Sequence, residues 1–246
     1  MWKFDRIKFL ALVLMSHVGF LVLMIYGSAL QLMVMFAVFC FICLFSSTVV
    51  YHRLLSHRSW NAPRWYEVFG TVLGLFSFTG TPITRTLAHR YHHRYADQEL
   101  DPHSPRVLGV WLAYFPMLQS DVKMDVRLVG DLLRDPLHRF CHTYYFPIIL
   151  ATIAVLALMV GPLWTLALSI APGALCWMNI SICNIFCHLG RREPIVNSRM
   201  LALLTFGEGW HRNHHDEPES PNFGREKFDP GYLVIRLFEK AKHADS

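Results

Sequence analysis

FLALVLMSHVGFLVLMIYGSALQLMVMFAVFCFICLFSSTVVYH, residues 9–52, contains no Lys, Arg, Asp or Glu, and the stretch from Phe140 to Gly190 contains none either. All 23 Lys and Arg and all 18 Asp and Glu of the 246-residue chain therefore lie outside two apolar blocks. Each block is about twice the ~20 residues a helix needs to cross a ~30 Å hydrocarbon core, so each reads as a helical hairpin. The first turns near Tyr26-Gly27-Ser28 and the second near Gly161-Pro162, where residues readily leave helical geometry. Four spanning helices are expected, at about 9–27, 30–51, 144–161 and 164–187. Neither block shows the polar face that core helices of a soluble bundle would carry. Lys3, Arg6 and Lys8 precede the first hairpin, and the remaining Lys and Arg lie between or after the hairpins. The positive-inside rule then puts both termini and the central segment in the cytoplasm.

Working outward, the cytoplasmic parts are 52–143 and 188–246. With no repeat, low-complexity run or Ser/Gly linker between them, the chain reads as one domain, 1–246, all-α, an integral membrane bundle with a cytoplasmic helical cap. Trp65 to Phe78 is apolar but too short to span, which suggests a helix at the interface or folded beneath the bundle; Trp111 to Leu118 is similar. Tyr232, Ile235 and Phe238 recur at helical spacing beside Arg236, Glu239 and Lys240, predicting an amphipathic helix that rests on the membrane or caps the site. The amino end lacks a short apolar region with a small-residue cleavage site, so the first helix is expected to stay. Cys40, Cys43, Cys141, Cys176, Cys183 and Cys187 sit almost entirely in the apolar blocks and read as packing residues without disulfides. The net charge of +5 follows from topology and gives no reason to expect nucleic acid.

Nine of the 14 histidines fall in four tight groups: His52 and His57 in HRLLSH, His89, His92 and His93 in HRYHH, His188, and His211, His214 and His215 in HRNHH. His17, His103, His138, His142 and His243 stand alone and read first as surface or satisfied core residues. His52 and His188 each fall at the cytoplasmic end of an even-numbered span, so the charge-based topology gathers distant groups on one face. On a helix, His89 and His93 project from one side while His92 turns about 100° from His93, so neighbours can serve different metals. All-imidazole ligation suits Fe, Zn or Cu, and the absence of Glu-x-x-His pairs argues against a carboxylate-bridged bundle. A catalytic zinc needs only three protein ligands, and His-Glu-x-x-His is absent, so a zinc hydrolase fits poorly.

HRLLSHRSW (52–60), HRYHHRYADQELDPHSP (89–105), NIFCHLG (184–190) and GEGWHRNHH (207–215) resemble, in order and spacing, the histidine boxes of the membrane acyl-CoA and acyl-lipid delta-9 desaturases, the stearoyl-CoA desaturase family. The resemblance spans about Thr48 to Lys240. It implies two irons, one held by His52, His57, His89, His93 and His214, the other by His92, His188, His211 and His215, with Asn184 reaching the second through water. It also implies O2-dependent removal of hydrogens from adjacent methylenes of a long acyl chain, with two electrons from outside. No His-Pro-Gly-Gly segment is present, so a separate donor such as ferredoxin, a flavoprotein or cytochrome b5 is expected. Asp97, Glu99, Asp101 and Glu208 are candidates to orient the imidazoles through their other nitrogen; for the first three, a solvated acidic turn is the competing reading.

An apolar tunnel lined by the second and fourth spans would take the acyl chain of an acyl-CoA or acyl-lipid. Arg58, Arg85, Arg90, Arg191 and Arg192 can meet a head group at its entrance, or lipid phosphates. Ile185, where many relatives carry Ser, and Arg212-Asn213 inside the last box depart from the usual pattern without removing a ligand, which bears on substrate form and regiochemistry. The nearest rival is a membrane hydroxylase or ketolase. A metal transporter or non-catalytic metal-binding protein would need ionisable residues along the spans, and only His17 lies there. A bacterial plasma membrane is the expected location, with endoplasmic reticulum the alternative.

Overall fold

The computed structural model describes residues 5–119 and 123–244, and among these every regular element is helical. Helix α1 (Arg6–Tyr26) starts at Asp5, whose side chain accepts from the Lys8 N–H, and stops at Gly27, where the backbone turns extended. Ser28 then opens α2 (Ala29–Ser56) with a reciprocal cap: its hydroxyl accepts from the Gln31 N–H and the Gln31 side chain returns to the Ser28 N–H. Over Cys43–Ser56 this helix widens into π turns. Helix α9 (Pro162–Cys187) follows Gly161, whose φ of +79° suits glycine, with Pro162 in the first turn. These three helices are long and apolar enough to cross a membrane. A fourth span is available if α7 (Pro136–Thr143) and α8 (Tyr145–Val160), which meet at 65°, count as one broken helix.

The outer surface is the inverse of a soluble protein's. Ile25 of α1 is 71 % exposed and Leu158 of α8 is 88 % exposed, while Ser16, Ser46 and Ser169 are buried between helices. Apolar side chains turned outward over whole helices are stable against lipid and not against water. Small residues let the backbones close up, as membrane helices require. A Cβ on Gly19 of α1 would lie 2.8 Å from Ile170 Cγ2 of α9.

Helix α3 (Arg64–Gly74), within the segment too short to span, lies against the wide half of α2. Gly70 and Gly74 permit this: a Cβ on Gly74 would sit 2.3 Å from Tyr51 Cε1. Ser46 Oγ donates to the Gly70 carbonyl at 2.6 Å and Tyr51 OH to the Thr71 carbonyl at 3.0 Å. Its far face exposes Trp65, Val68, Phe69 and Val72. Helix α4 (Pro82–Arg94) has a Thr81/Thr84 cap and follows α3; α5 (Pro105–Tyr114) and α6 (Gly130–Arg134) complete the central segment. After α9 come two short helices, α10 (Arg199–Leu204) and α11 (His211–Asp216), and then α12 (Pro230–Ala244). The last buries Val234 and Ile235 in the core that also holds Val49, Val50, Leu55 and Tyr66. Helix α12 thus covers the α2–α3 pair; Glu239, Lys240 and His243 lie outside the described side chains. All six cysteines are free.

Candidate metal centre and cavity

The four histidine groups meet. Ligand nitrogens of His52, His57, His89, His93 and His214 lie within 4.8 Å of one another, and so do those of His92, His188, His211 and His215. In the first group, Nε2 of His57 is 2.7 Å from that of His89, and Nε2 of His214 is 3.0 Å from His52 and 2.8 Å from His93. In the second, Nε2 of His188 is 3.0 Å from His211, and Nε2 of His215 is 3.3 Å from both His92 and His211. The helical offset within HRYHH divides α4 between the groups, His89 and His93 facing one and His92 the other.

Each group is held from behind. The Arg53 guanidinium, fully buried, pairs with both oxygens of Asp229 at 2.9 and 3.0 Å and lies 4.0 Å over the Phe223 ring, which packs on His52 and His214. That clamp fixes the chain after α11 to the end of α2. Arg90, between the ligand-type histidines of α4, points away and ties α4 to the end of α2 through the Leu55 and Ser56 carbonyls and to α6 through Asp131. Gly207, at φ +107°, makes room for the clamp: a Cβ there would sit 2.2 Å from Asp229 Oδ1.

Carboxylates set the tautomers. Asp101 Oδ2 accepts from His92 Nδ1 at 2.8 Å, Asp97 Oδ2 from His188 Nδ1 at 3.0 Å, and Glu208 Oε2 meets His52 Nδ1. Asp101 is itself locked by the backbone N–H groups of Asp97 and His103. Burial raises Asp97, but the bonds from His188 and Ser104 outweigh it and hold its carboxyl below the usual range. Opposite Asp97 and Asp101, which as carboxylates only accept, Nδ1 carries the proton and Nε2 presents a bare lone pair; burial pushes Glu208 up to about 8, so its contact positions the His52 ring without fixing a tautomer. Several bare lone pairs converging within about 3 Å repel unless cations lie among them, so the donor set fits two metal ions. Burial, followed by neighbouring cationic or imidazole groups, also holds His89, His92, His93, His211 and His214 well below the ordinary imidazole range, and His57 at about 3. The neutral, ligating form is thereby favoured.

Other residues sort as follows. Asn184 joins neither group; its side-chain N–H donates to the His103 carbonyl at 3.0 Å. His103 does more than fill space, stacking on His92 with centroids 4.4 Å apart. His17 bonds through both ring nitrogens, to the Val13 carbonyl and Tyr114, and His142 bonds to Thr81; His138 bonds to Glu67 through Nε2 while its buried Nδ1 has no partner among the described residues. Of the acidic candidates, Glu99 is exposed and touches none of these rings. Ile185 is buried and Arg212 pairs on the surface with Glu193. The Arg53–Asp229 clamp and Phe223 were not foreseeable from spacing, since 176 residues separate the ion pair.

A cavity of about 670 Å³ runs from His52, His89 and His211 to Phe9, Cys43 and Trp177 among the spanning helices. Helices α2 and α9 supply facing walls, α4 the roof beside the histidines, and Gln119 and Lys123 lie on its rim. Fold and site together define a helical protein of membrane type with a paired imidazole centre at the head of an apolar cavity. The sequence model of the fatty acid desaturase family matches residues 28–225. Among curated relatives, the chain is 34 % identical to acyl-CoA 5-desaturase AL21 of Anemone leveillei over 210 residues, covering 79 % of this chain and 64 % of the relative. It is 31 % identical to delta-9 acyl-lipid desaturase 2 of Arabidopsis thaliana, covering 78 % and 66 %, and to sn-1 stearoyl-lipid 9-desaturase of Anabaena variabilis, covering 78 % and 74 %. The chain belongs to the fatty acid desaturase family, and spans about two thirds to three quarters of the length of these three relatives.

Proposed function

We propose that the chain is an O2-dependent desaturase of long-chain acyl groups, working at a di-iron centre. The observation that carries this reading is the pair of imidazole clusters at the head of a long, mainly apolar cavity. His52, His57, His89, His93 and His214 hold one iron and His92, His188, His211 and His215 the other, with Asn184 acting on the second through water. The irons, when bound, supply the O2 activation that removes hydrogen from two adjacent methylenes. Asp97, Asp101 and Glu208 orient the imidazoles, and the walls from Cys43 to Trp177 straighten the chain and keep water from it. The substrate is an acyl-CoA or acyl-lipid, desaturated at the delta-9 position in line with the resemblance to delta-9 desaturases; the electrons come from a separate ferredoxin or cytochrome b5. In the membrane the spans form two hairpins with both termini and the helical cap on the cytoplasmic side, in a bacterial plasma membrane.

The test is the fatty acid profile, by gas chromatography and mass spectrometry, of cells expressing wild type or the H92A/H93A double variant beside a working donor. New monounsaturated chains with wild type alone are expected. Hydroxy or keto products would favour the oxygenase rival, and an unchanged profile with iron-loaded, inserted protein would overturn the reading.

A further inference from the structure

Five arginines were candidates to meet the polar end of a substrate, and their surroundings separate them. Arg58 donates to Asp131 at 3.1 Å, and Arg90 pairs with the same carboxylate while donating to backbone carbonyls. Arg191 and Arg192 are exposed. Arg85 alone of the five lines the cavity, and among the described residues no hydrogen bond or ion pair reaches its guanidinium. It stands one helical turn before His89, so the two side chains leave α4 on one face with Cβ atoms about 5–6 Å apart. Glu208, the acidic group on the same cavity wall, attracts Arg85 through space but makes its contacts elsewhere: one oxygen meets His52 and the other faces Arg53 at 3.7 Å. Desolvation by the walls lowers Arg85 to about 10, which leaves it cationic at neutral pH. A desolvated cation without a hydrogen-bond acceptor is costly, and at this place in a mainly apolar cavity it is best offset by an oxygen that the occupant brings.

We propose that Arg85 is a specificity-determining residue that binds the carbonyl oxygen of the acyl substrate inside the cavity, fixing how many carbons separate that carbonyl from the methylenes facing the histidines. The proposal rests on the acyl-desaturase reading of the cavity. The carbonyl is shared by thioester and ester substrates, so Arg85 serves either, while the group beyond the carbonyl lies toward the rim. Loss of the anchor lets the chain slide, and the double bond then spreads over neighbouring positions.

The experiment compares, on iron-loaded protein in nanodiscs, binding of two matched pairs: stearoyl-CoA against S-octadecyl-CoA, and 1-stearoyl-lysophosphatidylcholine against its 1-O-octadecyl ether. Within each pair only the carbonyl differs. Wild type is expected to prefer the carbonyl member of the pair it accepts by at least about tenfold, the lower end for a hydrogen bond to a charged group. Arg85→Met at unchanged iron content is expected to abolish the preference and to broaden double-bond positions. Arg85→Gln, which keeps an uncharged donor, should retain part of it and decides the matter if the Met variant does not fold. Which pair binds identifies the source of the carbonyl. An equal affinity within the accepted pair, or a wild-type preference surviving in the folded variant, overturns the proposal. If neither pair binds, the acyl reading of the cavity fails and the proposal falls with it.

Discussion

At the scale of single residues, the centre depends on protons being in the right place. Asp101 is buried, bonded by two backbone N–H groups and aimed at His92 Nδ1, so it holds one imidazole in one tautomer and one orientation. Asp101→Ala should therefore weaken metal affinity about 10- to 100-fold with the ligand set untouched; competition titration against a chelator measures this, and affinity equal to wild type would show that the contact is incidental. Protonation acts on the same centre. Burial, then the nearby Arg90 and Arg53 cations, hold His57 at about 3, against 6.5 for an unperturbed imidazole. Between these values the unfolded chain binds a proton that the folded one does not. The contribution of neutral His57 to stability is thus fully present above about 6.5 and is lost as the pH falls toward 3. The melting temperature of the metal-free protein should drop on acidification through that window, and a flat profile would contradict the assignment.

At the scale of elements, two contacts carry the geometry. The Arg53–Asp229 pair is dry and bidentate, so Asp229→Asn strands a buried cation and should cost about 3–5 kcal/mol, read as a lowered thermal midpoint in detergent. Gly74→Ala forces a methyl into the Tyr51 ring and should cost about 1–3 kcal/mol, displacing α3 from the half of α2 that ends in the first histidine box. An unchanged midpoint for either would mean that the neighbouring helices give way freely. These contacts also mark where sequence reading stops. The breaks at Gly27-Ser28 and Gly161-Pro162 were visible because turn residues interrupt an unbroken apolar run. HRYHH announced two faces because helical periodicity is fixed by the backbone. The Arg53–Asp229 clamp was not visible because 176 residues separate its partners, and nothing in local spacing marks the π turns of Cys43–Ser56. The 65° bend before Tyr145 has a local cause: Pro147 lacks the N–H that would bond the Thr143 carbonyl, and its ring crowds that carbonyl.

At the scale of the whole molecule, the apolar blocks and the histidine groups agree: two elements whose ends carry His52 and His188 bring their boxes to one side of the bundle. Leu150, 59 % exposed near the middle of α8, should face lipid, and Leu150→Arg should lower membrane-integrated yield, since a cation at the centre of a span costs about 2.5–3.5 kcal/mol. Carbonate extraction measures the integrated fraction, and full retention would place that face in water. Nine imidazoles from four separate stretches meet in two adjoining groups, proposed above to hold two irons. The most direct test of that proposal is the metal content per chain of protein purified from its membrane, by inductively coupled plasma mass spectrometry, beside variants lacking one imidazole pair from each group, H57A/H89A and H188A/H211A. About two irons per wild-type chain and a deficit in both variants are expected. A single ion, zinc in place of iron, or an iron content unchanged by either variant would contradict the proposal.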